Sequence, residues 1–309
     1  MIIFPLIRKM AELFIIILSA SALVRLGVLK SEDSRSLSRL YLYLVSPCAI
    51  FHSFQQSLTQ EITVGLITAV FLALFFNLLF IFIAYFLKRF WHATIVERAS
   101  IIFTNAGNLI IPIVAYTLGQ EWVIYVSAYI AVFNVLCWTY GVSLFNRGAG
   151  IHLRKILLNP NILAILLGLT MLFTGIKLPS LLEIAVTEVS AMIGPLSMIV
   201  VGIVLGGMRI GDLFNSKRVF AVIVFRLLLC SGLAVFFAIL TRIGHRIAFG
   251  HQIVMISLLS AIAPSSSNIN QFAILYNNET QYATAINILT TLSCILTMPF
   301  WIFVYELLA

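Results

Sequence analysis

Apolar stretches close to 20 residues long recur from one end of the chain to the other, and they fix its solvent before any motif is read. A helix of that length rises about 1.5 Å per residue and so spans a hydrocarbon core of roughly 30 Å. Within such a core each main-chain N–H and C=O needs a partner inside the protein, which a helix supplies from its own segment. The composition agrees, with 61% of the 309 residues hydrophobic and 10% charged, where an ordinary soluble domain has about 25% charged. The mean hydropathy is +1.09. The chain reads as an all-α integral membrane protein without a soluble domain.

The pattern predicts ten transmembrane helices, at 11–29, 38–56, 63–87, 95–118, 122–145, 160–178, 183–206, 218–241, 253–275 and 281–305. No small-residue cleavage site follows the first, which reads as a retained helix rather than a signal peptide. Cys48, Cys137, Cys230 and Cys294 are isolated within apolar spans, with no C-x-x-C spacing, and read as small hydrophobes rather than metal ligands or bridges. Gly202 to Gly206 and Gly207 to Gly211 have the spacing of close helix contacts, and they lack the Lys-Ser/Thr of a phosphate-binding loop. Neither ATP hydrolysis nor another enzyme activity is expected, and no metal or cofactor.

The net charge of +8 and the pI of about 9.5 need no nucleic acid to explain them. Of the 19 basic residues, Arg8, Lys9, Lys177, Arg242 and Arg246 fall on the side of the N-terminus; all others except Arg226 fall on the opposite side. The basic side is the cytoplasmic one, next to anionic lipid, so both termini are expected outside. The expected location is a plasma membrane, the inner membrane of a bacterium.

Five spans per half is an odd number, so a second half that repeats the first enters the membrane in the opposite sense. The expected division is a first repeat over 1–145, a cytoplasmic linker over 146–159 and a second repeat over 160–309. Signs of this 5+5 inverted repeat are Pro47 in span two and Pro195 in span seven, and polar breaks in spans four and nine. Aligning Asn108 with Asn268 also aligns Tyr116 with Tyr276.

The polar breaks carry the functional reading. Thr104-Asn105-Ala106-Gly107-Asn108 leads to Pro112, and Ala263-Pro264-Ser265-Ser266-Ser267-Asn268-Ile269-Asn270 interrupts an equally apolar surround. Irregular backbone survives at bilayer depth only where protein or a water-filled cavity satisfies it. Asn105 lies ten residues into span four, roughly 15 Å deep by helical rise, and Pro264 is equally central in span nine. Crossing breaks at the midplane leave half-helix ends facing one cavity; N-terminal ends carry about half a positive charge and free N–H groups, which suit a carboxylate. Neither break contains Asp or Glu, which disfavours cation antiport and points to anion binding without a fixed cation.

Phe103-Thr104-Asn105-Ala106-Gly107-Asn108-Leu109-Ile110-Ile111-Pro112-Ile113 resembles the N-x-G-N-x-x-x-P signature of the auxin efflux carrier family of permeases. Ala263-Pro264, Asn268, Ala273-Ile274-Leu275-Tyr276, Ala283, Leu289, Thr290, Ser293 and Pro299 resemble its ninth and tenth helices, and Gly194-Pro195-Leu196 with Gly202, Leu205 and Gly206 its seventh. The resemblance implies a ten-helix carrier with two crossing broken helices, a scaffold domain and a transport domain. It implies malate-like or malonate-like substrates in bacterial members and auxin anions in plant members. With about Asn146 to Asn159 between its halves, the chain is similar to the compact prokaryotic kind.

Carried over residue by residue, the resemblance has Asn105 and Asn108 offering amides to the substrate, Gly107 allowing close approach and Pro112 holding the break. On the opposing helix Pro264 creates the break and Asn268 is the partner amide, with Ser265, Ser266, Ser267 and Asn270 as polar neighbours. Against this stands a plainer role, since an intramembrane Asn or Ser also serves as interhelical glue worth about 0.6–2 kcal/mol. His52 is the candidate proton-coupling group, with an ordinary pKa of about 6.5, set against a structural histidine. Arg226 is expected to snorkel or to take a structural pair rather than bind substrate. The expected function is a secondary-active or facilitative permease for a small organic carboxylate anion. The alternative is a sodium- or proton-coupled symporter on the same fold. Expected partners are the anion, the lipid bilayer and a second copy of the chain as a homodimer, with no nucleic acid.

Overall fold

The computed structural model describes residues 3–146, 157–208, 211 and 217–309, nearly all of them helical, and no strand forms among them. The helices are α1 (Ile3–Arg25), α2 (33–53, with a π turn at Tyr41–Val45), α3 (Gln60–Phe90), α4 (Ile95–Ile102), α5 (Ala106–Thr117) and α6 (Gln120–Phe145). After the linker come α7 (Pro160–Thr174), α8 (Ser180–Gly207) and α9 (Arg218–Thr241), α10 (Gly250–Ile262), α11 (Ser267–Leu275) and α12 (Thr280–Leu308). Among the described residues α3, α6, α8, α9 and α12 are long and apolar enough to cross a membrane. Of the expected linker, residues 147–156 lie outside the described residues.

Two boundaries differ from the sequence expectation. The first helix begins at Ile3 rather than near residue 11 and stops at Arg25, because Gly27 takes a positive φ of 76° that ends the helix. The second starts at Asp33 rather than near 38; the Asp33 carboxylate accepts the Lys30 N–H at 2.8 Å and secures a first turn.

α3 illustrates why these helices belong in lipid. Ala69, Ala73, Phe76, Phe80 and Ala84 face inward, while Ile67, Phe71, Leu78 and Phe82 are exposed on the opposite side. Both faces are apolar, which water would not tolerate over such an area.

The helices pack as two groups. In the first, α1 lies along α8, and α2 packs against α7 and the start of α8. The close contact expected at the small-residue spacing is present for the first pair, where a methyl at Gly202 would collide with Ile17 O and one at Gly206 would come within 2.7 Å of Ser21 O, but not at Gly211, which has nothing within 4 Å. In the second group α3 packs on α4, α6 and α10, and α12 on α4, α9, α10 and α11. The groups meet where α12 touches α1, where α6 touches α2 and α7, and where α5 touches α1 and α8. There a Cβ on Gly194 would stand 3.1 Å from Cβ of Pro112.

A buried carboxylate ties the second group together. Glu97, with no exposed surface, accepts from Arg218 Nε and Nη2 at 2.7 Å each and from Tyr282 Oη at 2.7 Å. It also closes a capping box with Thr94 at the start of α4. Arg218 in turn stacks 4.3 Å over the Trp91 ring. Charge-assisted bidentate bonds of this kind are the strong ones, and they fix α4 to α9 and α12.

Candidate functional site

α4 ends at Phe103, which turns extended (φ −94°, ψ 123°), and α5 begins at Ala106 after Asn105 (φ −87°, ψ 50°). Pro112 has no N–H to return along α5, and the residues before it, Ala106–Ile110, wind as a π turn. α10 ends at Ile262 because Ala263 precedes a proline and is pushed extended (φ −57°, ψ 155°).

The two breaks meet. Thr104 and Ser265 form an antiparallel bridge; the Asn105 N–H donates to Pro264 O at 2.8 Å, and the Ser266 N–H donates to Phe103 O at 2.9 Å. Each peptide group of an unwound segment would otherwise cost several kcal/mol in hydrocarbon. α12 supports the second break: Asn287 Nδ2 donates to Ser265 O at 2.7 Å, and the Ser265 N–H donates to Thr290 Oγ1 at 3.2 Å.

Of the two roles expected for Arg226, it takes the structural one. It does not snorkel to the membrane surface; it is fully buried at the junction. Its Nε donates to Ala263 O at 3.1 Å, Nη1 to Ile101 O at 3.2 Å, and Nη2 to Ala263 O at 2.8 Å and to Ala261 O. The Phe80 ring lies 4.8 Å beneath the guanidinium. Arg226 sits in a π turn, Val224–Cys230, of α9, and the Leu227 carbonyl there is taken by Trp301 Nε1 at 2.8 Å. The breaks are therefore not free of fixed charge. The physical reason is that α4 and α10 both present C-terminal carbonyls here, the negative ends of their dipoles, and a buried arginine neutralises them.

The predicted residues fall as follows. Asn105, Pro264 and Ser265 are buried in the paired backbone. Asn108 Nδ2 donates to Ser267 Oγ at 3.3 Å across the junction. The Asn268 N–H donates to Ser266 Oγ at 3.2 Å, and its side-chain amide donates to Cys137 Sγ at 3.9 Å on α6. A methyl at Gly107 would touch only Ile130 Cδ1, at 3.9 Å, so the space beside this residue is open. Pro112 packs toward Gly194 rather than into the bridge. The Asn270 Oδ1 and Ser265 Oγ atoms are buried without a hydrogen-bond partner. His52 is not brought to the junction: its ring nitrogens lie 3.3 Å from Ser190 Oγ and 3.4 Å from Thr187 Oγ1, between α2 and α8.

Sequence reasoning passed over Asn287, and over Asn134 on α6, whose Nδ2 donor is buried without a partner. Asn287 had a readable signal, a second polar residue one turn before Thr290 in an apolar span. A cavity of about 300 Å³ lined by Gln55, Gln56, Thr174 and Lys177 lies elsewhere and includes no junction residue.

Apolar helices, two of them broken and joined at a polar junction, define a membrane protein of the carrier type. The profile of the family described as membrane transport protein matches residues 5–155 and 147–302, and the chain belongs to this family, that of the auxin efflux carriers. No curated protein matches the chain.

Proposed function

We propose that the chain is a permease for a small organic carboxylate anion, malate-like, malonate-like or auxin-like, with access alternating around the junction. In this reading the architecture is a ten-helix 5+5 inverted repeat, 1–145 and 160–309, with α4–α5 and α10–α11 as crossing helices. It lies in a bacterial inner membrane with both termini outside. Matched contacts support the repeat: α1 on α8 is mirrored by α7 on α2, α3 on α6 by α9 on α12, and α4 on α12 by α10 on α6.

The observation that carries the substrate class is the division of labour at the junction. Arg226 takes the C-terminal carbonyls, so the negative dipole ends are neutralised. The start of α5 is left without a side-chain cap, beside the Asn108 amide and the open space at Gly107. Donors and the positive end of a helix dipole suit a carboxylate. Outward movement of an anion from a negative interior is downhill by about 2.3 kcal/mol per charge per 100 mV.

The test is flux of radiolabelled malonate, malate and indole-3-acetate in proteoliposomes. Saturable flux of at least one is expected, lost in Asn105→Leu and Asn108→Leu while both variants still fold and insert. Absence of carboxylate flux, or normal flux in both variants, would sink the reading.

A further inference from the structure

In carriers with broken helices that run on ion gradients, half-helix C-terminal ends and unwound carbonyls are where sodium is coordinated. Here that position is filled from within the chain. The carbonyls of Ile101 at the end of α4, and of Ala261 and Ala263 at the end of α10, converge on one group, the Arg226 guanidinium. Two helix C-termini of about half a negative charge each sum to roughly one, which a single guanidinium balances. The groups around it are neutral: the Phe80 ring, the Tyr129 hydroxyl, and the Cys230 and Cys294 thiols. Its hydrogen bonds run to the Ile101, Ala261 and Ala263 carbonyls, with the Cys230 thiol as its side-chain neighbour, so its positive charge is assigned to the dipole ends.

We propose that Arg226 is a tethered counter-cation occupying the place of a coupling ion, and that removing its side chain opens a site for a monovalent cation. A second observation points to a ligand there. Tyr129 Oη, Thr104 Oγ1 and Asn77 Oδ1 are fully buried; the Tyr129 hydroxyl stands beside Thr104, Asn77 and Arg226, yet none of the three oxygens makes a well-directed hydrogen bond. With the guanidinium gone, the three carbonyls and the Tyr129 hydroxyl beside them are the kind of oxygen donors that hard cations take. The guanidinium's permanent charge keeps sodium out of the native protein, so native transport runs without sodium. The inference rests on the anion-carrier reading for its flux arm alone.

The experiment compares wild type, Arg226→Ala and Arg226→Lys, purified in detergent, by thermal unfolding in choline chloride, in sodium chloride and in choline chloride with millimolar guanidinium. Wild type is expected to unfold at the same temperature in all three. Arg226→Ala should unfold at a lower temperature in choline and recover by several degrees, saturably, with sodium or guanidinium. Arg226→Lys should be indifferent to the added cation. Saturable stabilisation of wild type by sodium overturns the proposal, as does an Arg226→Ala protein that responds to neither cation. If Arg226→Ala does not accumulate, growth with millimolar guanidinium is the same test: folded protein supports the proposal and its absence overturns it. In proteoliposomes, malonate or malate flux by wild type should be equal in sodium and choline. Cation-dependent stability of Arg226→Ala with no anion flux by wild type would uphold the cation site and count against the carrier reading instead.

Discussion

At 263–266 the chain unwinds at a proline, and besides its two bonds to the first break the freed backbone is held by side chains of its own half, Asn287, Thr290 and Arg226. At 103–105 it unwinds without a proline, and the bonds to Phe103 O, the Asn105 N–H and Ile101 O all come from the other half. The two breaks are alike in backbone shape and unlike in support. An inverted repeat can thus be symmetrical in topology while the polar chemistry that satisfies it is concentrated in one half. The first break depends on the second, and the second is braced by α12.

The sharpest way to break this comparison is Asn287→Leu. It leaves Ser265 O buried and unpaired, which should cost about 1–3 kcal/mol of stability, read by thermal unfolding. Single cysteines placed at 104 and 265 should both become more reactive in that background; a change confined to 265 would show that the first break stands alone. Ser267→Ala removes the side-chain bond that joins Asn108 across the junction and should cost about 0.5–1.5 kcal/mol, with a raised KM for anion flux and an unchanged fold. Pro264→Ala should shift stability by less, within about 1 kcal/mol, because the first break shows that clamps hold an unwound segment without a proline. Extension of α10 through residue 264, seen as lost labelling of a cysteine at 265, would contradict that. His52→Ala should leave flux and its pH dependence unchanged while loosening the α2–α8 contact; a shifted pH profile would reinstate His52 as a coupling group.

What could be read from the chain followed from local rules. A pre-proline alanine and Pro264 announce the second break, and apolar length announces the helices. The missing part is long-range. Thr104 carries no local breaker, and its segment is extended because Pro264 O and the Ser266 N–H lie beside it. The partners of Arg226 were hidden for the same reason: counted along α9, it stands two turns from the basic surface, which left snorkelling open beside a structural role, whereas its acceptors are at 101, 261 and 263. The start of α1 was misplaced because Arg8 and Lys9 look like a boundary, yet the helix continues through them.

The buried arginine also bears on how the protein is made. An arginine near the middle of an isolated helix costs about 2.5–3.5 kcal/mol on entering the bilayer. As α9 leaves the ribosome, Ile101 is already in place, but Ala261 and Ala263 have not been synthesised. The many apolar residues of α9 outweigh that cost, so the helix can enter lipid by itself, but its arginine lacks most of its acceptors until α10 arrives. Assembly of the junction is in this sense a checkpoint of biogenesis, passed only when both halves of the chain have been delivered to the membrane.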